Sequence, residues 1–477
     1  MVEDQRPVEI VQCAWQIAIL DRASGDLQME LDLANAYIRL GNVQGNPYDQ
    51  NIGDTEGAMR SLEKALSIAT TLARREPKNA AALHALGWAQ QSRSEVLFGI
   101  ARTKEAVATM RLSAATYEDW ASRPGAKIDD LFEVASAYGG LGDELGQGGT
   151  ASLSDPKGAI EAFHRSLEID ERIVHSDATS NRAWRGIAVN RMKIANIEAE
   201  ADPGAALLYY YEAIKGMNAL PEDIRKALPN RRFEASLLRK TGLALKEIGE
   251  YREALSYMER ARAIAGPFVA KDPNDTRAAN DFLALLENEA ECFEDRAEGI
   301  FTKEKINSTA DPAAAIRTLS EARTLSEHLL QIQPGNTNWR STLGLVLVRI
   351  GLQQKRLGEF DAARETAARG VAILKAVAKQ QDAQGFDLDA VATGLTIVEP
   401  EQFRDPKMAV ACAERMVESS HRQKPGFLLT LAQAYRAAGQ RERARTTAKE
   451  GLGLLPSPAP DRVPSRIRKK LQAELSQ

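Results

Sequence analysis

Residue types that could do chemistry are sparse in this chain, and their spacing rules out most reactions. Five histidines occur, His84, His164, His175, His328 and His421. None stands in an H-E-x-x-H pair or beside a second metal-type residue at ligand spacing. His84 falls next to core positions of a helix and is read as a packing residue. No G-x-S-x-G elbow positions a serine, and no cysteine sits in a nucleophile turn. Cys13, Cys292 and Cys412 are odd in number and far apart, so neither a disulfide framework nor a zinc site follows. Glu289 and Glu291 lie on one helical stretch and read most simply as solvated. The expectation is a chain without catalytic residues, metal ligands or cofactor.

Three loops invite a binding reading. Gly139 to Thr150 holds six glycines but lacks the lysine of a phosphate-binding G-x-x-x-x-G-K-[ST] loop and any strand before it. It is expected to be a flexible connection between helices. Asp49 to Asp54 loosely suggests a calcium loop, yet Arg60 stands where the closing glutamate belongs. Asn46-Pro47-Tyr48 favours a turn, and its aromatic is either tucked onto the helices or offered to a partner. Tucked is the expected state.

The elements that must carry these residues are helices in pairs. In Pro425 to Pro456, Leu428, Leu431, Ala432 and Tyr435 fall at i, i+3, i+4 and i+7. Gly439 stops that helix. A second follows, with Ala444, Ala448 and Gly451 along one edge. Side chains this small allow two antiparallel helices to approach closely. Variants of the pattern recur through the chain, for example Leu33-Ala34-Tyr37 with Ala58-Leu62-Ala65, and Val134-Ala135-Tyr138 with Ala159-Phe163-Ser166. A separate signal marks helix starts. Asp-Pro-x-x-Ala recurs at Asp155, Asp202, Asp311 and Asp405, an N-cap followed by a proline that loses no needed N–H.

Composition agrees with an ordinary globular array. Of 477 residues, 44% are hydrophobic and 27% charged, with a net charge of −4. No broad basic field exists for nucleic acid or an anionic membrane. The basic cluster Arg462 to Lys470 is read as a solvated end. No run approaches the ~18 apolar residues of a membrane span, and Met1 to Val8 lacks a signal-type core. A cytoplasmic location is the expectation.

These spacings resemble the tetratricopeptide (TPR) repeat, with Leu428 in the tryptophan place and Ala448 in the phenylalanine place. The resemblance implies an all-α, right-handed superhelical solenoid of antiparallel helix pairs, roughly nine repeats averaging about 50 residues. Expected divisions are an N-terminal packing helix in 1–25, repeats one to four in 26–216, repeats five to nine in 217–456, and a capping helix in 457–477. The Pro221 and Pro229 connection is read as a bend or a block boundary. In such arrays the first helix of each pair lines the concave side. Off-stripe residues there are the candidate partner-binding groove: Asn35, Arg185, Met192, Arg239, Lys246, Gln433 and Arg436. Several are basic, which points to an acidic peptide or a free carboxylate. The lysine–asparagine clamp of chaperone-binding TPR domains does not appear in register.

Two segments resemble something narrower. Ala34 to Tyr48 with Asn51 to Asp54 and Gly57-Ala58, led by Ile19 to Asp26, is similar to the first repeat of the C-terminal TPR array in bacterial, eukaryotic-type serine/threonine kinases. Val398 to Asp405 is similar to how such arrays finish. The kinase Gly-rich loop, V-A-I-K lysine, H-R-D and D-F-G are all absent. The resemblance therefore implies a docking or sensory half without phosphoryl transfer, either an interaction protein with a protein or peptide partner, a kinase among the candidates, or the regulatory part of a kinase whose catalytic domain is not in this chain. It leaves an extracytoplasmic location as the alternative.

Overall fold

A computed structural model describes residues 12–13, 16–18, 26–49, 51–146, 152–294, 311–455 and 464–476. Most of the expected N-terminal helix, Gly148 and Gly149, residues 302–309, Pro456 and Arg462 lie outside the described residues. Of that N-terminal segment, Cys13 is buried and Ile17 packs against the Tyr37, Ile38 and Leu62 cluster.

The described residues form helices with no strand. They divide into two compact units, 1–197 with 215–221, and 198–214 with 222–477. In the first unit the order is α1 (Leu27–Gly45), α2 (Thr55–Arg75), α3 (Ala80–Gly99), α4 (Thr103–Ala121), α5 (Leu131–Gly146), α6 (Pro156–Ser176) and α7 (Asn181–Ala201), the last four residues of α7 grouping with the second unit. Helix α8 (Pro203–Asn218) is shared between the two. The second unit continues with α9 (Glu222–Lys226), α10 (Leu228–Ile248), α11 (Tyr251–Lys271), α12 (Thr276–Glu294), α13 (Pro312–Ile332), α14 (Thr337–Arg356), α15 (Phe360–Ala378), α16 (Phe386–Ile397), α17 (Pro406–Ser419), α18 (Pro425–Ala437), α19 (Arg441–Leu454) and α20 (Arg466–Ser476).

Local chemistry explains where the helices begin. Asp155, Asp311 and Asp405 accept from the backbone N–H three residues on, at 2.9, 2.9 and 3.2 Å. Asp202 does the same to Ala205 at 3.0 Å. Each satisfies an N–H that the first turn leaves without a partner. Gly249 and Gly439 end α10 and α18 in the left-handed region, φ 94° and 74°. Residues 344–348, which could pass for a strand by composition, lie inside α14.

Successive helices are antiparallel pairs held at small residues. A Cβ at Gly41 would lie 2.6 Å from Leu62 Cγ, and one at Gly87 2.7 Å from the Tyr117 ring. Gly351 meets Ala363 and Ala367 in the second unit, and buried Ala444 and Ala448 line the α18–α19 contact region. Each unit is thus an all-α, TPR-like stack of helix pairs whose core is the seam between neighbours.

The glycine-rich stretch is helical as far as Gly146, not the flexible connection expected. Gly139, Gly140, Gly142 and Gly146 lie inside α5, not in a loop. Gly142 sits under the Phe163 ring, Gly146 against Ala159 and Gly140 under the Met110 methyl. The glycines therefore let α4 and α6 press against the backbone of α5.

Candidate functional site

Helices α3, α5 and α7 are the first members of successive pairs, and they run parallel. Gln91 and Ser94 of α3 reach Ser136 and Glu144 of α5, and Arg182 and Lys193 of α7 reach Glu133 and Asp143. Along this face the first unit holds a cavity of about 400 Å³. Its floor is partly backbone, because a Cβ at Gly139 would still be 3.8 Å from Ser166 Oγ. Phe132, Val189 and Met110 supply apolar wall, and the remaining lining is mostly polar.

The parallel register gives the cavity two chemically different ends. Toward the helix starts lie Arg182 and Arg185. Arg182 stacks 4.3 Å from the Phe132 ring centre and pairs with Glu133 at 3.5 Å. Toward the helix ends lie Glu95, Asp143, Glu144 and Lys193. Lys193 Nζ is 2.6 Å from Asp143 Oδ2. Glu95 accepts from Asn46 Nδ2 at 2.6 Å and from Gln91 Nε2 at 3.0 Å. Burial raises its carboxyl above the ordinary value, against those two hydrogen bonds.

Glu144 is 2% exposed. Its Oε1 is 2.7 Å from Ser94 Oγ, whereas its Oε2 is buried with no hydrogen-bond partner. Burial pushes its carboxyl up to about 8, with Glu95 and Asp143 adding to the shift and Ser94 opposing it. Midway along the cavity Asp170 is 4% exposed and accepts from Asn190 Nδ2 at 3.1 Å. Asn190 also donates to Ser166 Oγ at 2.9 Å, and Ser166 donates to the Ala135 carbonyl at 2.8 Å. Burial pushes Asp170 up to about 7.

The sequence candidates divide between the units. Arg185 is exposed on the cavity wall, and Tyr48 stands on its lining. Tyr48 is not tucked: it is 57% exposed, and Asn46 is the buried member of that loop. A carboxamide can bridge Asn42 and Glu95 from inside, which leaves the tyrosine exposed on the cavity lining. Pro47 packs over Gly99. Asn35 is half-buried, with an Oδ1 that finds no partner, and Met192 is half-buried outside the cavity lining.

In the second unit Arg239 shares a recess of about 20 Å³ with Asp281, Arg232 and Phe268. Lys246 is 3% exposed and ion-paired with Glu291. Arg436 pairs with Glu474 of α20 at 3.2 Å, and Gln433 is half-buried. Glu289 and Glu291 are not the solvated pair expected. Glu289 binds Arg262 at 2.8 Å, and Glu291 receives Lys246 and also Arg466 at 3.3 Å. Burial alone would raise the Glu291 carboxyl; Lys246, Arg349 and Arg466 outweigh it and hold the group far below its usual range.

Glu95, Glu144, Asp170, Asn190 and Lys193 escaped the sequence reading, and a signal for three of them was present. Val134, Ala137, Leu141 and Glu144 are spaced as one buried stripe, as are Phe163, Ser166, Asp170 and Ile173, and Ala183, Ile187, Asn190 and Ile194. A polar residue on such a stripe is desolvated by the fold.

Among the described residues no His, Cys, Asp and Glu grouping could hold a metal, and no helix is long and apolar enough to cross a membrane. No protein-family model matches the chain, and no curated protein does. Solved structures do. The apo quorum sensor NprR from B. thuringiensis aligns at 13% identity and TM-score 0.43, over 84% of this chain and 98% of its own. Apo RapI aligns at 11% and 0.46, over 94% and 99%. A signal-transduction ATPase with a tetratricopeptide repeat sensor from Pyrococcus horikoshii aligns at 12% and 0.45, over 89% of this chain and 56% of that one. Likeness at that level carries no residue role from one chain to another.

Proposed function

We propose that the chain is a non-enzymatic binding protein that holds an extended segment of a partner polypeptide along α3, α5 and α7 of its first unit. The observation that carries this is the cavity itself. Three parallel helices present a ~400 Å³ trough that joins an apolar wall to fixed polar groups, which suits side chains of a docked segment. Affinity would accumulate from modest contacts along repeated helices. Arg182 and Arg185 favour a carboxylate of that segment at their end, through charge-assisted hydrogen bonds. A kinase is the specific partner raised by the resemblance of the 34–58 and 398–405 segments.

A plug variant tests the proposal. Gly139→Trp would fill the trough from its floor, where a Cβ meets Ser166 Oγ at 3.8 Å and Asn190 Oδ1 at 4.0 Å without a clash. A partner recovered with the wild-type chain from its native host should be lost with Gly139→Trp while the helical circular dichroism stays unchanged. A partner retained equally by both chains would overturn the proposal.

A further inference from the structure

We infer that the Glu95–Glu144 end of the cavity receives a lysine or arginine side chain of the bound polypeptide. This rests on the reading of the cavity as a polypeptide site and adds the chemistry of one subsite.

Three observations converge there. Glu144 is nine-tenths buried and more, lines the cavity, and keeps one carboxylate oxygen without a donor. A buried acceptor left empty costs free energy unless something fills it. Second, the local charge is unbalanced. Among the described lining residues at this end Lys193 is the one cation, and Asp143 holds it at 2.6 Å. Among the described residues Glu95 has only the neutral donors Asn46 and Gln91 within hydrogen-bond reach. Third, the helix ends add to the imbalance. Glu144 lies in the last turn of α5 and Glu95 about one turn before the end of α3, and neither last turn carries a basic residue. Helix C-termini are the negative ends of their dipoles and favour cations, not carboxylates. The groups that face Glu144 are Ser94, Glu95, Asp143, Lys193 and Tyr48. None of them repays that arrangement. An ammonium or guanidinium donating to Glu144 Oε2 would, and the carboxyl would give up any proton it carries as the cation arrives.

Short N-acetylated, C-amidated peptides alternating alanine with lysine, glutamate or serine serve as probes of the full chain by isothermal titration calorimetry. The lysine peptide should bind best. Glu144→Gln should weaken it by about tenfold or more, the loss of one charge-assisted bond. Glu95→Gln, which leaves the Ser94–Glu144 contact in place, should weaken it in the same direction and guards against misfolding of the first variant. Glu56→Gln, at an exposed position of α2, should change nothing. Repeating the titration in buffers of different ionisation enthalpy should show proton release that Glu144→Gln abolishes. Equal binding of the lysine peptide by wild type and both variants would overturn the inference. Preference for the glutamate peptide, lost on Arg182→Ala, would overturn it and leave the polypeptide site standing. No binding of any peptide, together with partner retention by Gly139→Trp, would overturn both.

Discussion

The Ser94 hydroxyl lies 2.5 Å from the Ala106 carbonyl oxygen and 2.7 Å from Glu144 Oε1. A hydroxyl has one hydrogen and cannot donate to both. Both contacts are satisfied when Glu144 carries a proton and Ser94 donates to Ala106. In that state two repeats are tied together through a neutral carboxylic acid, in keeping with a carboxyl pushed up to about 8.

That state fixes a pH dependence. The folded chain holds the Glu144 proton more tightly than the unfolded chain, whose value is near 4.5. The stability this group contributes is full below about pH 4.5, declines above it and is gone once pH passes about 8. Glu144→Gln has no proton to lose. Thermal unfolding of both chains between about pH 5 and about pH 9 should show the wild type falling relative to the variant as pH rises.

Close approach at glycine predicts a contrast between positions. A Cβ at Gly142 would lie 2.5 Å from Phe163 Cε1, and that ring is buried. Gly142→Ala should destabilise by about 1–3 kcal/mol in urea unfolding. Gly426→Ala, at the open first turn of α18, should be neutral or stabilising by up to about 1 kcal/mol.

Helix caps should act locally. Asp311 Oδ1 accepts from Ala314 N–H at 2.9 Å. Asp311→Ala should cost about 1 kcal/mol in the second unit's transition and leave peptide binding by the first unit unchanged in calorimetry.

The second unit's internal ion pair should resist single changes and tolerate paired ones. Arg349 is buried and meets Glu294 at 2.7 Å, with its guanidinium also donating to the Glu287 carbonyl. Glu294→Ala should cost about 3 kcal/mol by removing the arginine's hydrogen-bonded partner, with Glu291 and Glu287 left to offset part of its charge. Arg349→Met with Glu294→Leu should recover most of that loss in the same denaturation assay.

Sequence spacing carried the helix pairs well, because the contact between neighbours is made by small residues at fixed offsets. Ala58, Ala159 and Ala448 are fully buried where the pattern put them. The aspartate caps were legible for the same reason: a cap is a local interaction. Gly139 to Gly146 misled because a run of glycines reads as a loop until Met110, Phe163 and Ala159 are seen pressing on it. The cavity was only partly legible. Arg185 and Tyr48 belong to it, but the register of α3, α5 and α7 that gathers Glu95, Glu144 and Asp170 is a product of packing. In the second unit Lys246 looked like a groove residue from its position on α10, and the tertiary fold instead matched it with Glu291.

A polypeptide docked along α3, α5 and α7 would shield the backbone of their cavity-facing segments. Backbone hydrogen exchange of the chain, alone and with the partner recovered from its native host, reads this directly. Slower exchange confined to the cavity-facing segments 91–95, 131–146 and 181–193 is the expected result. Slowing on α4 and α6 instead, or only in the second unit, would contradict it.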